Sequence, residues 1–111
     1  MKPTKPLRES LDDLGRFSEP ALLILISLAD GPKHGYGMTQ DIAAVSGQKL
    51  GPGTLYGAIT RLEARKWIEA LPAEDRRRPY RLTGAGQRVL RARLASLQAM
   101  TRIGKSRLAE G

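Results

Sequence analysis

The residues of this chain best suited to chemistry are cationic and aromatic, and their chemistry is binding. Arg76, Arg77 and Arg78 stand in a row, behind Glu74 and Asp75 and just ahead of Arg81. A run of guanidinium groups binds phosphates, or reaches into a minor groove and straddles its edges. A solvated turn with Glu74 and Asp75 pairing locally would carry the same letters. Upstream, Thr54, Tyr56 and Arg61 suit hydrogen bonds to phosphates or base edges, with Arg61 able to bind bidentately. Gly51, Gly53, Gly57 and Ala58 surround them. Small residues let a helix sink close to a partner. A plain core helix whose glycines serve a turn reads alike. Lys33-His34-Gly35-Tyr36 adds a third group of donors, with His34 read as a turn residue or phosphate contact.

Catalytic sets are hard to find. One histidine and no cysteine offer no convincing metal cluster. No nucleophile sits in an activating sequence. Gly51-Pro52-Gly53 lacks the Gly-Lys-Ser/Thr that completes a phosphate loop. The expectation is therefore no enzyme, no catalytic residue, no metal and no cofactor. The absence of cysteine excludes disulfides.

Charge agrees with binding. Lys plus Arg total 19 and Asp plus Glu total 11, a net of +8, which favours a polyanionic partner, most often nucleic acid. An Arg-rich composition alone gives the same balance. The excess is uneven: residues 83–111 carry six basic and one acidic side chain, residues 18–50 two and three. The apolar run Ala21 to Ile26, resumed at Leu28 and Ala29, is far short of the ~20 residues a bilayer span needs. Met1 to Leu14 does not read as a signal peptide. A cytoplasmic protein with no membrane partner is expected.

These side chains need elements to hold them. Leu7, Leu11 and Leu14 share one face of a short helix ended by Gly15, behind a loose arm at 1–6. Ser18-Glu19-Pro20 is a helix start, with Ser18 as the capping hydroxyl. The helix to Ala29 is apolar nearly all round, so it is covered on more than one side. Asp30-Gly31-Pro32 stops it. A second helix runs about Tyr36 to Val45, with Met38, Ile42 and Val45 inward, and Ser46-Gly47 closes it. Leu50 reads as a brief strand. A third helix opens at Gly51-Pro52-Gly53-Thr54 and buries Leu55, Ile59 and Leu62. Trp67 to Leu71 and Pro79 to Leu82 pair as a hairpin. Thr83 caps a last helix, about Ala85 to Leu108.

Three helices, a two-stranded ribbon and a further helix form the order of a winged helix. The expected fold class is mainly α with a small β-hairpin: a winged helix-turn-helix plus a C-terminal dimerisation helix. At 111 residues one domain is expected. Its parts are an arm and short helix over 1–17, a DNA-binding domain over 18–82 and the dimerisation helix over 83–111. Leu90, Leu94, Leu97, Thr101, Gly104 and Leu108 alternate in steps of four and three, the spacing of helix pairing. Packing of this stripe on its own domain is the alternative, though the helix outreaches a small core. Leu22 and Ile26, Leu90, Leu94, Leu97, Thr101 and Leu108 are the expected homodimer interface. Lys33, His34, Tyr36, Thr54, Tyr56, Arg61, Arg76, Arg77 and Arg78 are the expected DNA contacts.

The stretch from about Ala21 to Leu90 resembles the PadR family of bacterial transcriptional regulators. The likeness rests on His34-Gly35-Tyr36, on Pro52-Gly53-Thr54-Leu55-Tyr56, on Arg61-Leu62-Glu63 and on Pro79-Tyr80-Arg81-Leu82-Thr83. It implies a dimeric winged helix, usually a repressor on a pseudo-palindromic double-stranded operator, often released by a small-molecule effector. There are departures. Gly57 stands where proline is common, and Lys66 where glycine is usual. The last helix has no aromatic residue, so a pocket for flat aromatic ligands is not carried over. The Asp75-Arg76-Arg77 wing also resembles the MarR family, whose longer flanking helices do not fit this length. A winged-helix module that holds an acidic protein partner is the alternative function.

Overall fold

A computed structural model describes residues 10–110 of the chain. The arm at 1–6 and Leu7 lie outside them. Ser10 opens a 3₁₀ segment, Leu11–Phe17. Its Oγ accepts the Asp12 N–H at 3.1 Å, and the Asp13 carboxylate accepts the Ser10 N–H at 3.4 Å, a reciprocal cap. Gly15 breaks the segment with φ of 58°, a conformation that suits glycine. Leu11 and Leu14 are buried.

Helix α1 spans Ser18–Ala29. Ser18 is its first helical residue, and Phe17 holds the capping position without a side-chain bond. The expected Ser18 cap is therefore not used. Ala21, Ile24, Leu25 and Leu28 are buried, with Leu22, Leu23 and Ile26 packed around them. The helix touches the 3₁₀ segment, every later helix and the sheet. That central place explains why it is apolar nearly all round.

Strand β1 (Lys33–His34) leads into α2 (Gly35–Ser46). Met38 and Ile42 are buried, but Val45 is 64% exposed. Residues 44–49 are all exposed, so the end of α2 has run past the core. Gly47 closes the helix at φ of 76°. Helix α3 spans Pro52–Ala64 and buries Leu55, Ala58, Ile59 and Leu62. Leu50 forms no strand.

Strands β2 (Ile68–Ala70) and β3 (Pro79–Leu82) pair antiparallel, with Ile68 opposite Leu82 and Ala70 opposite Tyr80. β1 pairs with the other edge of β3, Lys33 opposite Tyr80. The expected hairpin is thus part of a three-stranded sheet, ordered β1-β3-β2. Its tip is a two-residue turn closed by paired hydrogen bonds between Glu74 and Arg77, 2.7 Å each. Asp75 and Arg76 both take positive φ, 48° and 68°, the signs of a type I′ turn, whose twist matches the strands.

Helix α4 spans Gly84–Glu110, about 40 Å at 1.5 Å per residue. Thr83 Oγ1 accepts the Gly86 N–H at 3.0 Å and donates to the Lys66 carbonyl at 2.7 Å. One hydroxyl thus caps α4 and ties it to the end of α3. Only Gly86 and Leu90 of α4 are buried. Among the described residues, no helix is long and apolar enough to cross a membrane. The architecture is a winged helix with an extended last helix.

Candidate nucleic-acid interface

The sheet brings the start of α2 against the wing. β1 carries His34 directly into α2, and β3 holds the arginine-bearing turn beside it. His34 of β1, Gly35 and Tyr36 of α2, Tyr56 of α3, and Arg76, Arg77, Arg78 and Tyr80 of the wing line one cleft of about 250 Å³. These residues lie far apart in sequence, and most were expected contacts.

Each has a definite state. His34 caps α2: its Nδ1 accepts the Gly37 N–H at 3.3 Å. A neutral ring accepting at Nδ1 carries its proton on Nε2. That Nε2 stands 3.3 Å from the Arg77 guanidinium, which only donates. In that tautomer both groups donate, and one anionic oxygen within reach of both N–H groups satisfies them. Tyr36 is exposed, its hydroxyl accepting from Gln40 Nε2 at 3.1 Å. The Tyr56 hydroxyl lies against Gly35, where a Cβ would stand 2.1 Å from it. Glycine at 35 is therefore what seats Tyr56. Burial, then the nearby Glu63, raises the Tyr80 hydroxyl above the usual tyrosine range, so it stays a neutral donor. Arg78 donates to the Leu71 carbonyl at 2.9 Å, across the hairpin. Arg76, at the tip, has no partner among the described residues. Arg81, in contrast, is taken by Glu69 on the facing strand.

Three expectations need correction. Lys33 is not a free cation. Its side chain is 18% exposed and lies 3.6 Å from Asp30 and 4.0 Å from Asp41. Its Nζ donates to the Ser27 carbonyl, and Asp41 also accepts from the buried Ser27 hydroxyl at 2.7 Å. Lys33 thus locks the end of α1 to α2. Lys33→Met should lower stability by about 1–3 kcal/mol, because it removes the donor to the Ser27 carbonyl and the cation beside Asp41, which keeps only its Ser27 bond. A urea melt checks this: an unchanged midpoint would return Lys33 to the surface set.

The small residues of α3 do not form a groove-facing edge. Ala58 is fully buried. Gly57 lies under Phe17, where a Cβ would stand 2.8 Å from the ring. The exposed strip of α3 is instead Gly53, Thr60 and Ala64, flanked by Tyr56 and the exposed acid Glu63 on the wing side and by Thr54 and Arg61 on the other. Thr60 was not singled out from sequence, although its four-residue spacing from Tyr56 is the helical signal that marks it. Arg61 is exposed but turned away from the wing. It stacks on Phe17 at 3.8 Å and donates to the Gly57 carbonyl at 2.9 Å. Thr54 is exposed on that same flank.

Leu90 corrects the expected interface. It is 6% exposed, inside the chain's own core, so it anchors the root of α4 and shows only an edge, which lines a groove there. Leu22 and Ile26 are half-buried against that core. Leu94, Met100, Ile103 and Leu108 are exposed beyond it, Thr101 is exposed and Leu97 half-buried.

Residues 24–92 match the transcriptional regulator PadR-like family. The chain is 43% identical over 86 residues to an uncharacterized 37.1 kDa protein in transposon TN4556 of Streptomyces fradiae. That match covers 78% of this chain and 25% of the other, so the chain spans a quarter of that relative's length. It is 37% identical over 84 residues to the transcriptional regulator Rv3488 of Mycobacterium tuberculosis, covering 73% of this chain and 78% of that one. Among solved structures it is similar to a transcriptional regulator from Clostridium thermocellum, at 25% identity and a TM-score of 0.71, covering 85% of this chain and 93% of the other. The chain belongs to the PadR-like family of transcriptional regulators, which are not enzymes.

Proposed function

We propose that the chain binds double-stranded DNA in the cytoplasm as a homodimer and represses transcription from a pseudo-palindromic operator. The observation that carries this reading is the cleft in which His34, Tyr36, Tyr56 and the Arg76–Arg78 run converge beside the exposed strip of α3. An exposed helix with small side chains fits the major groove, and donors beside it fix register on the phosphates. Residues 18–82 supply this surface. In a dimer built on α4, over 83–111, two copies of α3 enter successive major grooves about 34 Å apart. Repression follows by excluding polymerase. An effector that changes the angle between subunits would release the DNA. The groove at the root of α4, lined by Ala29, Leu82, Gln87, Leu90, Arg91 and Leu94, is where such a molecule would act.

The test is binding of a labelled duplex from the gene's own upstream region, by mobility shift across a salt series. Replacing Arg76, Arg77 and Arg78 together by alanine should reduce the salt slope of the dimer by up to about 5, from three arginines in each of two wings at 0.9 per phosphate contact. Affinity near 0.1 M salt should fall by about 100-fold or more. An unchanged slope would remove the wing from the mechanism. Salt-sensitive binding without sequence preference, together with a stable acidic protein partner, would favour the interaction-module reading instead.

A further inference from the structure

The wing cleft occupies only one flank of α3. On the other flank, Arg16, Phe17, Gly53 and Thr54 line a second cleft, of about 430 Å³. Thr54 borders this cleft and Tyr56 borders the wing cleft. Two residues apart on a helix is about 200° of rotation, so the clefts lie on opposite sides of the exposed strip. The guanidinium groups of Arg16 and Arg61 both lie over the Phe17 ring, 5.0 and 3.8 Å from its centre. The acids of the same segment are engaged elsewhere. Asp12 pairs with Arg93 of α4, and Asp13 lies 3.7 Å from Arg65 at the end of α3. Among the described residues no carboxylate pairs with Arg16 or Arg61, so this flank keeps its positive charge.

We infer that Arg16 and Arg61, held on Phe17, form a second phosphate clamp, which grips the DNA strand across the major groove from the wing. The inference rests on the DNA-binding reading above and extends it to the 3₁₀ segment, outside the expected 18–82 domain. A helix is about 10–12 Å across and the major groove about 12 Å wide. Phosphates of the two strands therefore line the two flanks of an inserted helix. A cationic cluster on each flank meets one strand each, which centres α3 and fixes its rotation. The ring pre-orders both guanidinium groups, so little side-chain freedom is lost on contact. Gly57 makes the seat: any side chain there would displace Phe17. Arg16 and Arg61 are thus phosphate contacts, and Phe17 and Gly57 are positioning residues.

The experiment measures binding of the upstream duplex and of a scrambled duplex across a salt series, with a thermal melt on every variant. Arg16→Ala, which removes one contact from each subunit of the dimer, should bind both duplexes about 10- to 100-fold more weakly and lower the salt slope by about 1.8. Arg16→Lys should keep the slope, since it keeps the charge. Gly57→Ala should reproduce the loss without unfolding, because alanine is the better helix former. Ethylation interference should show Arg16→Ala losing a phosphate on the strand opposite to those lost by the wing variant. Wild-type binding with unchanged slopes for both Arg16→Ala and Gly57→Ala overturns the clamp. Loss on the wing's own strand overturns the assignment across the groove. If the wild-type chain binds neither duplex, the DNA-binding reading falls, and this inference with it.

Discussion

Gly86→Ala should unfold the chain well below the melting temperature of the wild type. A Cβ at 86 would stand 2.0 Å from the Trp67 carbonyl oxygen and 3.0 Å from its carbon. The obstacle is backbone, and the backbone is held. The Trp67 carbonyl accepts the Thr83 N–H at 3.1 Å, and the Trp67 N–H donates to Leu62 at 3.1 Å. One residue earlier, the Lys66 carbonyl takes the Thr83 hydroxyl. Lys66 itself is already at positive φ, 64°, a strained state for a residue with a side chain. The junction between α3, β2 and α4 thus has no slack to absorb a methyl group. Overpacking of this kind costs about 3 kcal/mol or more where nothing can shift. For a domain of this size that lowers the melting point by roughly 12–20 °C, read by circular dichroism. A wild-type melt would mean that α4 does not dock on Trp67 as described. Gly35 makes the contrast. A Cβ there comes as close, 2.1 Å, but to the end of the Tyr56 side chain, which can swing aside.

If the proposed homodimer is built on α4, Leu94→Glu combined with Leu97→Glu should give monomers and abolish tight operator binding. Leu94 is 43% exposed and Leu97 half-buried, so the domain loses little of its own core. A glutamate at 94 falls three residues after Arg91 on the helix, a favourable pairing distance, so α4 stays helical. Two carboxylates in the seam of a paired helix are desolvated without a partner, which the interface does not tolerate. Sedimentation should then show a monomer. Each half-site would be held alone, and losing the second attachment weakens binding by about 10²- to 10⁴-fold. Persistent dimers would move the interface off this stripe. Leu90 is deliberately left intact, because it belongs to the core.

The helices and the ribbon are legible in the sequence for local reasons. Pro52 sits at the first position of α3 and Gly47 ends α2 in the left-handed region, as such residues do anywhere. Leu55, Ile59 and Leu62 share one face whatever lies opposite. The two-residue strand β1 was missed because nothing periodic fits into two residues; it exists only because β3 offers an edge.

What local sequence determined about this protein is where its elements begin, which face of each is apolar, and that its exposed charge is positive. Those properties act within about one helical turn, so neighbouring residues suffice to set them. Only the tertiary structure decided which cations are available. Lys33 is taken by Asp41 of the next helix and Arg81 by Glu69 of the facing strand. Arg61 keeps its charge but is carried by Phe17 to the flank of α3 away from the wing, and Leu90 is withdrawn from the stripe it shares in sequence with Leu94. Long side chains choose partners by distance in space, and segments far apart in the chain bring those partners near only once the core has closed.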